Sequence, residues 1–199
     1  SVAEVFNNAH SCGGIVGGHY GGTVSDCVVE GTIGSQGDFC GGISGYFSSG
    51  EVRDCVTQGS ATVITYNDQC GGIVGSITTS TLCVIDGCVS YADVRAYHSV
   101  GGVVGYVKPS TADAKVVIAN SMHVGGDLFA TGLNTSNYSL VGGICGWTHG
   151  SGTVVYANVC ARPKSMRGLS YWVSQTSKVV LPVSVMAQSR LPLAMYIRM

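Results

Sequence analysis

The hexapeptide CGGIVG occupies residues 12–17, and four close variants follow it: CGGISG at 40–45, CGGIVG at 70–75, VGGVVG at 100–105 and VGGICG at 141–146. Their first residues are 28, 30, 30 and 41 positions apart. Self-similarity at a nearly fixed period is the sequence signature of a repeat architecture, in which each unit packs on its neighbours. The sequence therefore predicts five stacked units that share one conformation at the hexapeptide.

A second element follows the hexapeptide in every repeat. It reads VSDCV at 24–28, VRDCV at 52–56, IDGCV at 85–89, IANSM at 118–122 and YANVC at 156–160. Turn-forming residues and short runs of Thr, Val and Ile complete each period, so we expect about three short strands per repeat. A helix is disfavoured, because each glycine of a pair would destabilise it by about 1 kcal/mol, whereas Val, Ile and Thr favour strands.

These patterns predict an all-β fold, a right-handed parallel β-solenoid (β-helix) of about five coils with a non-repeat C-terminal segment. The glycines would lie at a repeated corner, where a missing Cβ permits positive φ or a close backbone approach. The right hand follows from the crossover preference of parallel strands. A propeller or a sandwich of hairpins is the alternative, although Asn-Gly and Asp-Gly pairs do not recur regularly between strands.

The repeats divide the chain into three parts. Residues 1–11 are expected to end a preceding coil, and residues 12–160 to form the repeat solenoid. Residues 161–199 match no repeat, and we expect them to act as a C-terminal cap or as a docking segment.

Composition limits the classes of function. The chain of 199 residues has 11% charged residues and 30 glycines, which favours strands and tight turns over helices. A net charge of -1 gives no reason to expect nucleic acid or an anionic membrane as a partner. The longest strongly apolar stretch, residues 179–187, is far shorter than the roughly 20 residues that span a bilayer, so no membrane span is predicted.

The GGIVG sequence followed by the [DN]-C-V element resembles the GLUG-motif repeats of bacterial and protist surface proteins, over about residues 12–160. The chain departs from that pattern at Ser121 and Val159, which replace the cysteine of the second element, and in residues 161–199. The resemblance implies a multi-repeat β-solenoid located outside the cell or at its surface, often as one part of a longer adhesin-like or peptidase-bearing protein. It implies no catalytic residues within the repeats.

Six of the nine cysteines recur at two positions of the repeat. The first hexapeptide position holds Cys12, Cys40, Cys70, Val100 and Val141, and the second element contributes Cys27, Cys55 and Cys88. Exchange between Cys and Val is typical of small buried apolar groups. Stacked Cβ atoms would be about 4.8 Å apart, farther than the ~3.8 Å of a disulfide. We expect free buried thiols, with disulfides or a metal site as alternatives, and the absence of a CxxC pair argues against zinc.

The acidic residues and histidines give no clear sign of catalysis. The position before the second-element cysteine holds Asp26, Asp54, Gly87, Asn120 and Asn158, a series typical of a turn. A calcium or acid–base site would need further oxygens that converge on it. The five histidines are expected to lie at different positions of the repeat. The sequence thus predicts no catalytic residues, no cofactor and no metal.

Aromatic residues recur directly after the hexapeptide, where the chain has Gly18, Tyr46, Ser76, Tyr106 and Trp147. Aromatic faces stack on sugar rings or pack against a protein partner, so Tyr46, Tyr106 and Trp147 are candidate binding residues. An aromatic ladder that closes a turn is the alternative. Asn134 and Asn137 each begin an N-x-[ST] sequence and are candidate glycosylation sites.

Charge is divided unevenly along the chain. All 11 acidic residues lie between Glu4 and Asp127 with four basic ones, which gives -7, whereas six basic residues from 128 onward give +6. Opposite ends of such a rod attract, and a head-to-tail contact that does not close builds a filament. We therefore expect self-association, with Glu4 at the acidic end and Arg190 and Arg198 at the basic end.

Together these features predict a non-catalytic structural or adhesive repeat module located outside the cell or at its surface. Its partners would be further copies of itself, together with surface glycans or a host or matrix protein. The alternative is a carbohydrate-binding or polysaccharide-cleaving β-helix protein.

Overall fold

The computed structural model describes residues 4–8, 10–132, 139–168 and 178–180, with the backbone alone for the last three. Every regular element in these ranges is a β-strand, and the strands pair in parallel. Within the described ranges no helix is long and apolar enough to cross a membrane. The predicted all-β parallel solenoid is confirmed.

Five strands form each coil. The first coil contains β1 (Glu4–Asn7), β2 (Ser11–Gly13), β3 (Val16–His19), β4 (Thr23–Ser25) and β5 (Val28–Val29). The second contains β6 (Thr32–Ser35), β7 (Phe39–Gly41), β8 (Ser44–Phe47), β9 (Gly50–Arg53) and β10 (Val56–Thr57). The third contains β11 (Thr62–Thr65), β12 (Gln69–Gly71), β13 (Val74–Thr79), β14 (Leu82–Asp86) and β15 (Val89–Ser90).

The later coils repeat this order. The fourth contains β16 (Asp93–Ala96), β17 (Ser99–Gly101), β18 (Val104–Pro109), β19 (Lys115–Ala119) and β20 (Met122–Val124). The fifth contains β21 (Asp127–Ala130), β22 (Leu140–Gly142), β23 (Cys145–Thr148), β24 (Thr153–Ala157) and β25 (Cys160–Arg162). Two further strands follow, β26 (Ser165–Arg167) and β27 (Lys178–Val180).

The expectation of about three strands per repeat is wrong, because the sequence motifs do not coincide with single strands. The hexapeptide contains the end of one strand and the start of the next, as in β12 and β13. The second element likewise joins two strands, as in β14 and β15. Each motif is a corner of the coil, and two short strands meet there.

The strands stack into five sheets, numbered here by their order in the coil. The first sheet is β1-β6-β11-β16-β21-β26, the second β2-β7-β12-β17-β22, the third β3-β8-β13-β18-β23, the fourth β4-β9-β14-β19-β24-β27 and the fifth β5-β10-β15-β20-β25. Residues at the same place in successive coils are paired, so Cys12 pairs with Cys40 and Cys40 with Cys70. We call such a set a column. The parallel pairing continues past residue 160, where β26 and β27 extend the first and fourth sheets.

The hexapeptide glycines are required by a close approach of neighbouring backbone and side chains. A Cβ on Gly71 would overlap the carbonyl oxygen of Val74 and lie 2.6 Å from the backbone nitrogen of Gly105 in the next coil. A Cβ on Gly72 would overlap Oγ of Ser90, which belongs to the facing fifth sheet. None of the hexapeptide glycines, all of which are described, has positive φ. Of the two explanations that the sequence left open, close approach is therefore correct.

Apolar columns fill the interior. Fully buried columns are Ile33, Val63, Val94 and Leu128 in the first sheet, Phe47, Ile77 and Val107 in the third, and Val52, Ile85 and Ile118 in the fourth. Burial of each such side chain stabilises the fold by about 1.5–3 kcal/mol relative to an exposed one. The core therefore extends through successive coils as a continuous hydrophobic cluster.

One column of the fifth sheet has polar residues in its three middle coils, one of which is a buried histidine. It contains Val29, Thr57, Ser90, His123 and Ala161. Nε2 of His123 lies 3.3 Å from the carbonyl oxygen of Gly126 and Nδ1 lies 3.2 Å from Oγ of Ser90. Since a carbonyl oxygen only accepts, Nε2 carries the proton and Nδ1 accepts from the serine. Burial lowers the pKa of His123, so the ring is neutral in the folded protein.

Gly72→Ala is expected to destabilise the fold by about 1–3 kcal/mol, because an added methyl group has no space beside Ser90 and the carbonyl group of Gly102. Gly59→Ala is the matched control, since the nearest atom to its new Cβ is Cβ of Tyr91 at 3.7 Å. Urea denaturation followed by circular dichroism measures the free energy of unfolding of both variants. Equal losses at the two positions would contradict the close-approach explanation.

The buried neutral ring of His123 predicts a loss of stability in acid. The unfolded chain takes up a proton at this residue near pH 6.5, whereas the folded protein does so only at lower pH. Its contribution is therefore fully present above about pH 7 and is lost as the pH falls through the unfolded value. We expect His123→Ser, which copies Ser90, to flatten the pH dependence of the unfolding free energy between about pH 7 and 5. His10→Ser is the exposed control, and an unchanged slope in His123→Ser would exclude this role.

Candidate functional site

The left-handed turns of the coil form one column. Asp26, Asp54, Gly87, Asn120 and Asn158 have φ between 48° and 66°. Asp, Asn and Gly are the residues that adopt this conformation most readily, so the predicted turn position is confirmed. Nδ2 of Asn158 donates to Oδ1 of Asn120 at 3.1 Å, and Nδ2 of Asn120 donates to Oδ1 of Asp86 at 2.7 Å. These polar side chains thus link neighbouring coils at the surface.

The second-element cysteines act as hydrogen-bond donors. Each donates across the left-handed residue to the carbonyl group two positions earlier: Cys27 to Ser25 at 3.1 Å, Cys55 to Arg53 at 3.0 Å, Cys88 to Asp86 at 3.4 Å, and Ser121 in the same way to Ala119 at 2.6 Å. The predicted buried position is confirmed for Cys55 and Cys88, and Val159 keeps it apolar in the fifth coil. Cysteine and serine also donate a hydrogen bond there, which valine cannot.

The hexapeptide cysteines are buried, as predicted. Cys12 is 2% exposed, and Cys40 and Cys70 are fully buried, with thiols directed at carbonyl groups of the first sheet. A hydrogen bond with Cys40, followed by burial, raises the pKa of Cys12. Burial also raises the pKa of Cys83, to about 11. All nine cysteines are described, and none forms a disulfide.

The predicted aromatic column is in register on the third sheet. Gly18 pairs with Tyr46, Tyr46 with Ser76, Ser76 with Tyr106, and Tyr106 with Trp147. Tyr106 is 8% exposed and Trp147 is 40% exposed. Phe47, which follows Tyr46, is fully buried in the core. Because successive side chains of a strand point to opposite faces of the sheet, the column itself faces outward.

The column and its neighbours form a band of rings that we call the aromatic strip: Tyr20, Phe39, Tyr46, Tyr106 and Trp147. Ring centroids of Tyr46 lie 5.8 Å from Tyr20 and 5.6 Å from Phe39, and those of Tyr106 and Trp147 are 5.1 Å apart. The rings therefore pack on one another, as in a ladder. Tyr20 is nevertheless 73% exposed, so the strip also offers aromatic surface to a partner.

Two polar side chains interrupt the aromatic strip in the third coil. Gln69 pairs with Phe39 and Ser76 pairs with Tyr46, so they take the places of two rings that touch one coil earlier. Oε1 of Gln69 and Oγ of Ser76 are buried and have no hydrogen-bond partner among the described residues. A buried polar atom without a partner costs about 1–3 kcal/mol, unless water or a ligand supplies one. We call this place, between Tyr46 and Tyr106, the polar gap.

Imidazole and carboxylate groups share a column that the sequence reading missed. The position two residues before the hexapeptide holds His10, Asp38, Asp68, His98 and Ser139. Nδ1 of His10 lies 2.8 Å from Oδ2 of Asp38, Nδ1 of His98 contacts Oδ1 of Asp68, and Nδ2 of Asn67 donates to Oδ1 of Asp38. The expectation that all histidines lie at different positions is wrong for His10 and His98. An alignment of the repeats could have revealed this column, because His or Asp stands first in each of HSC, DFC, DQC and HSV.

This imidazole–carboxylate column has the groups needed to exchange protons with a substrate, since His and Asp are common general acids and bases. It lies beside the aromatic strip, because Asp38 directly precedes Phe39. Among the residues the structure describes, no group of three or more His, Cys, Asp or Glu side chains is arranged to hold a metal ion.

The other predicted residues lie elsewhere. Asn134 and Asn137 fall outside the described residues, as do Arg190 and Arg198. Glu4 is exposed in β1 and pairs with Thr32.

Comparisons with known proteins identified no relative of this chain. No family model, no curated protein and no solved structure matches the chain. The resemblance to GLUG-motif repeats, and the location outside the cell that it implies, therefore stay predictions.

Proposed function

We propose that the protein is a non-catalytic structural and adhesive module that acts outside the cell and contacts a glycan through the aromatic strip. The observation that carries this proposal is the polar gap, where two buried oxygens that have no partner among the described residues lie between Tyr46 and Tyr106. Sugars suit such a surface, because their apolar faces stack on aromatic rings and their hydroxyl groups form hydrogen bonds.

The fold supports this role through its rigidity. Tyr46 and Trp147 belong to coils three apart, so their Cα atoms are separated by about three strand spacings, or ~14.4 Å. Backbone hydrogen bonds between coils fix that separation, and a partner with a matching repeat gains two ring contacts with little ordering cost. Oγ of Ser76 can donate to a sugar oxygen between them, whereas Oε1 of Gln69 can accept from a sugar hydroxyl.

Trp147→Ala and Tyr46→Ala are expected to weaken binding on a glycan array by about fivefold each, since a lost ring contact is worth about 1 kcal/mol. Tyr66→Ala is the matched control, because Tyr66 is 63% exposed but does not belong to the aromatic strip. Thermal melting of the three variants checks that each is folded. An equal loss in Tyr66→Ala, or an array with no bound glycan, would remove the support for this role.

Polysaccharide cleavage is the second candidate function, and the imidazole–carboxylate column favours it. Asp38 and Asp68 each contact a histidine at the edge of the aromatic strip. The same preparations, assayed for release of reducing ends or unsaturated products, distinguish the two functions. Non-catalytic binding predicts no turnover, whereas turnover that Asp68→Asn abolishes would establish an enzyme.

Head-to-tail self-association belongs to the same proposal and is supported by the division of charge along the sequence. We expect light scattering at low salt to detect assemblies that dissociate as the Debye length falls from about 10 Å at 0.1 M to about 3 Å at 1 M. The double variant Arg190→Glu and Arg198→Glu should weaken the association, and the charge-preserving double variant Arg190→Lys and Arg198→Lys serves as the control. A monodisperse monomer at low salt and high protein concentration would exclude filaments.

A further inference from the structure

Three thiols stack in consecutive coils at the corner between the fourth and fifth sheets. Cys27, Cys55 and Cys88 precede paired residues of β5, β10 and β15. The amide of Val56 donates to the carbonyl oxygen of Cys27 at 2.8 Å, and that of Val89 donates to Cys55 at 2.9 Å. Because each thiol makes the same bond to the carbonyl two residues back, the three side chains point the same way. Neighbouring sulfur atoms are therefore about one strand spacing, ~4.8 Å, apart.

Solvent reaches one end of this thiol column. Cys27 is half-buried, whereas Cys55 and Cys88 are fully buried. The hexapeptide column differs, since its corresponding residue, Cys12, is itself buried. A reagent or ion can thus approach the pair Cys27 and Cys55 from the side of Cys27.

The spacing of the pair matches a metal ion held between two sulfur atoms. Two metal–sulfur bonds of about 2.3 Å placed in line span about 4.6 Å, close to the strand spacing. A disulfide needs Cβ atoms only about 3.8 Å apart, so the same spacing disfavours direct oxidation. Soft thiolate ligands select soft ions such as Cu(I), which accept two ligands in line. Zinc does not fit, because four ligands are needed and the described residues offer no such group.

We propose that Cys27 and Cys55 bind one soft monovalent metal ion, of the class of Cu(I) and Ag(I), as a linear pair of thiolates. Two S–H bonds break and two metal–sulfur bonds form. Both protons pass to solvent, no electron is transferred, and the site gains one negative charge.

Burial explains why the metal ion takes the pair at the open end. Cys27 is half-buried, whereas Cys88 lies fully buried behind Cys55. The next residue of the column is Ser121, whose hydroxyl oxygen accepts from the amide of Cys88 at 3.1 Å, so no fourth thiol follows. An ion that enters from the side of Cys27 therefore meets Cys27 and Cys55 first.

The test uses the full chain and silver nitrate in chloride-free buffer. One equivalent of Ag(I) is added, and the rate at which iodoacetamide alkylates Cys27 is compared with that in the metal-free protein by mass spectrometry. We expect Ag(I) to protect Cys27, and Cys55→Ser to abolish that protection, because Cys55 is itself buried and unreactive in either state. X-ray absorption should show two sulfur ligands on each silver ion.

Cys55→Ser is expected to weaken Ag(I) binding on the order of 100-fold, since two linked ligands are reduced to one. The variant should fold, because Ser121 makes the same hydrogen bond in this column. Cys83→Ser is the matched control: Cys83 is also buried, but Gly50 and Val116 flank it in register, so it has no stacked thiol. Cys40→Val, which copies Val100 in the hexapeptide column, should also leave the affinity unchanged.

Each alternative outcome would contradict the proposed metal site. Equal losses in Cys55→Ser and Cys83→Ser, or a single sulfur ligand in the absorption spectrum, would show that no thiol pair is formed. A loss of Ag(I) affinity in Cys40→Val would place the metal ion in the hexapeptide column.

Discussion

The narrowness of the coil is the constraint on which the rest of the structure depends. The backbone of each hexapeptide lies directly against a side chain of the fifth sheet, as Gly72 does against Ser90 and Gly42 against Thr57. No Cβ fits between them, so glycine recurs there in every coil. This contact fixes the sheets on either side of it. Each residue is then held one strand spacing from its counterpart in the next coil, so the residues of a column share the same surroundings.

Much of the fold could be read from residues whose backbone demands are strict. Repeated Gly-Gly pairs predicted the coil, and the series Asp54, Gly87 and Asn120 predicted a turn, which the structure shows to be left-handed. The number of strands could not be predicted from the sequence, because strands of two or three residues are too short to show a periodic pattern. Val28–Val29, for example, resembles the residues that precede it, so the sequence does not mark it as a separate strand. The sequence therefore specifies the corners of the coil more clearly than its strands.

The candidate site was only partly predictable. Tyr46, Tyr106 and Trp147 share a residue type and were recognised as one column, and the structure places them in register. His10 and Asp38 share a column as well, but they interact because one is an imidazole and the other a carboxylate, and a search for similar residues does not detect complementary ones. The polar gap was unpredictable for a related reason, since whether Oγ of Ser76 finds a partner among the described residues depends on the rings around it.

In-register stacking also has a consequence for how such a chain can change in length. Residues 40–69 form one complete period, and the pairs that join Cys12 to Cys40 are repeated between Cys40 and Cys70. Duplication of a whole period would therefore lengthen the rod by about 4.8 Å while every contact keeps its existing type. A single-residue insertion within a strand would instead turn the following side chains to the wrong face. Changes of length within the strands should accordingly be tolerated in units of whole coils, whereas periods of 28, 30 and 41 residues show that the connections between strands vary more freely.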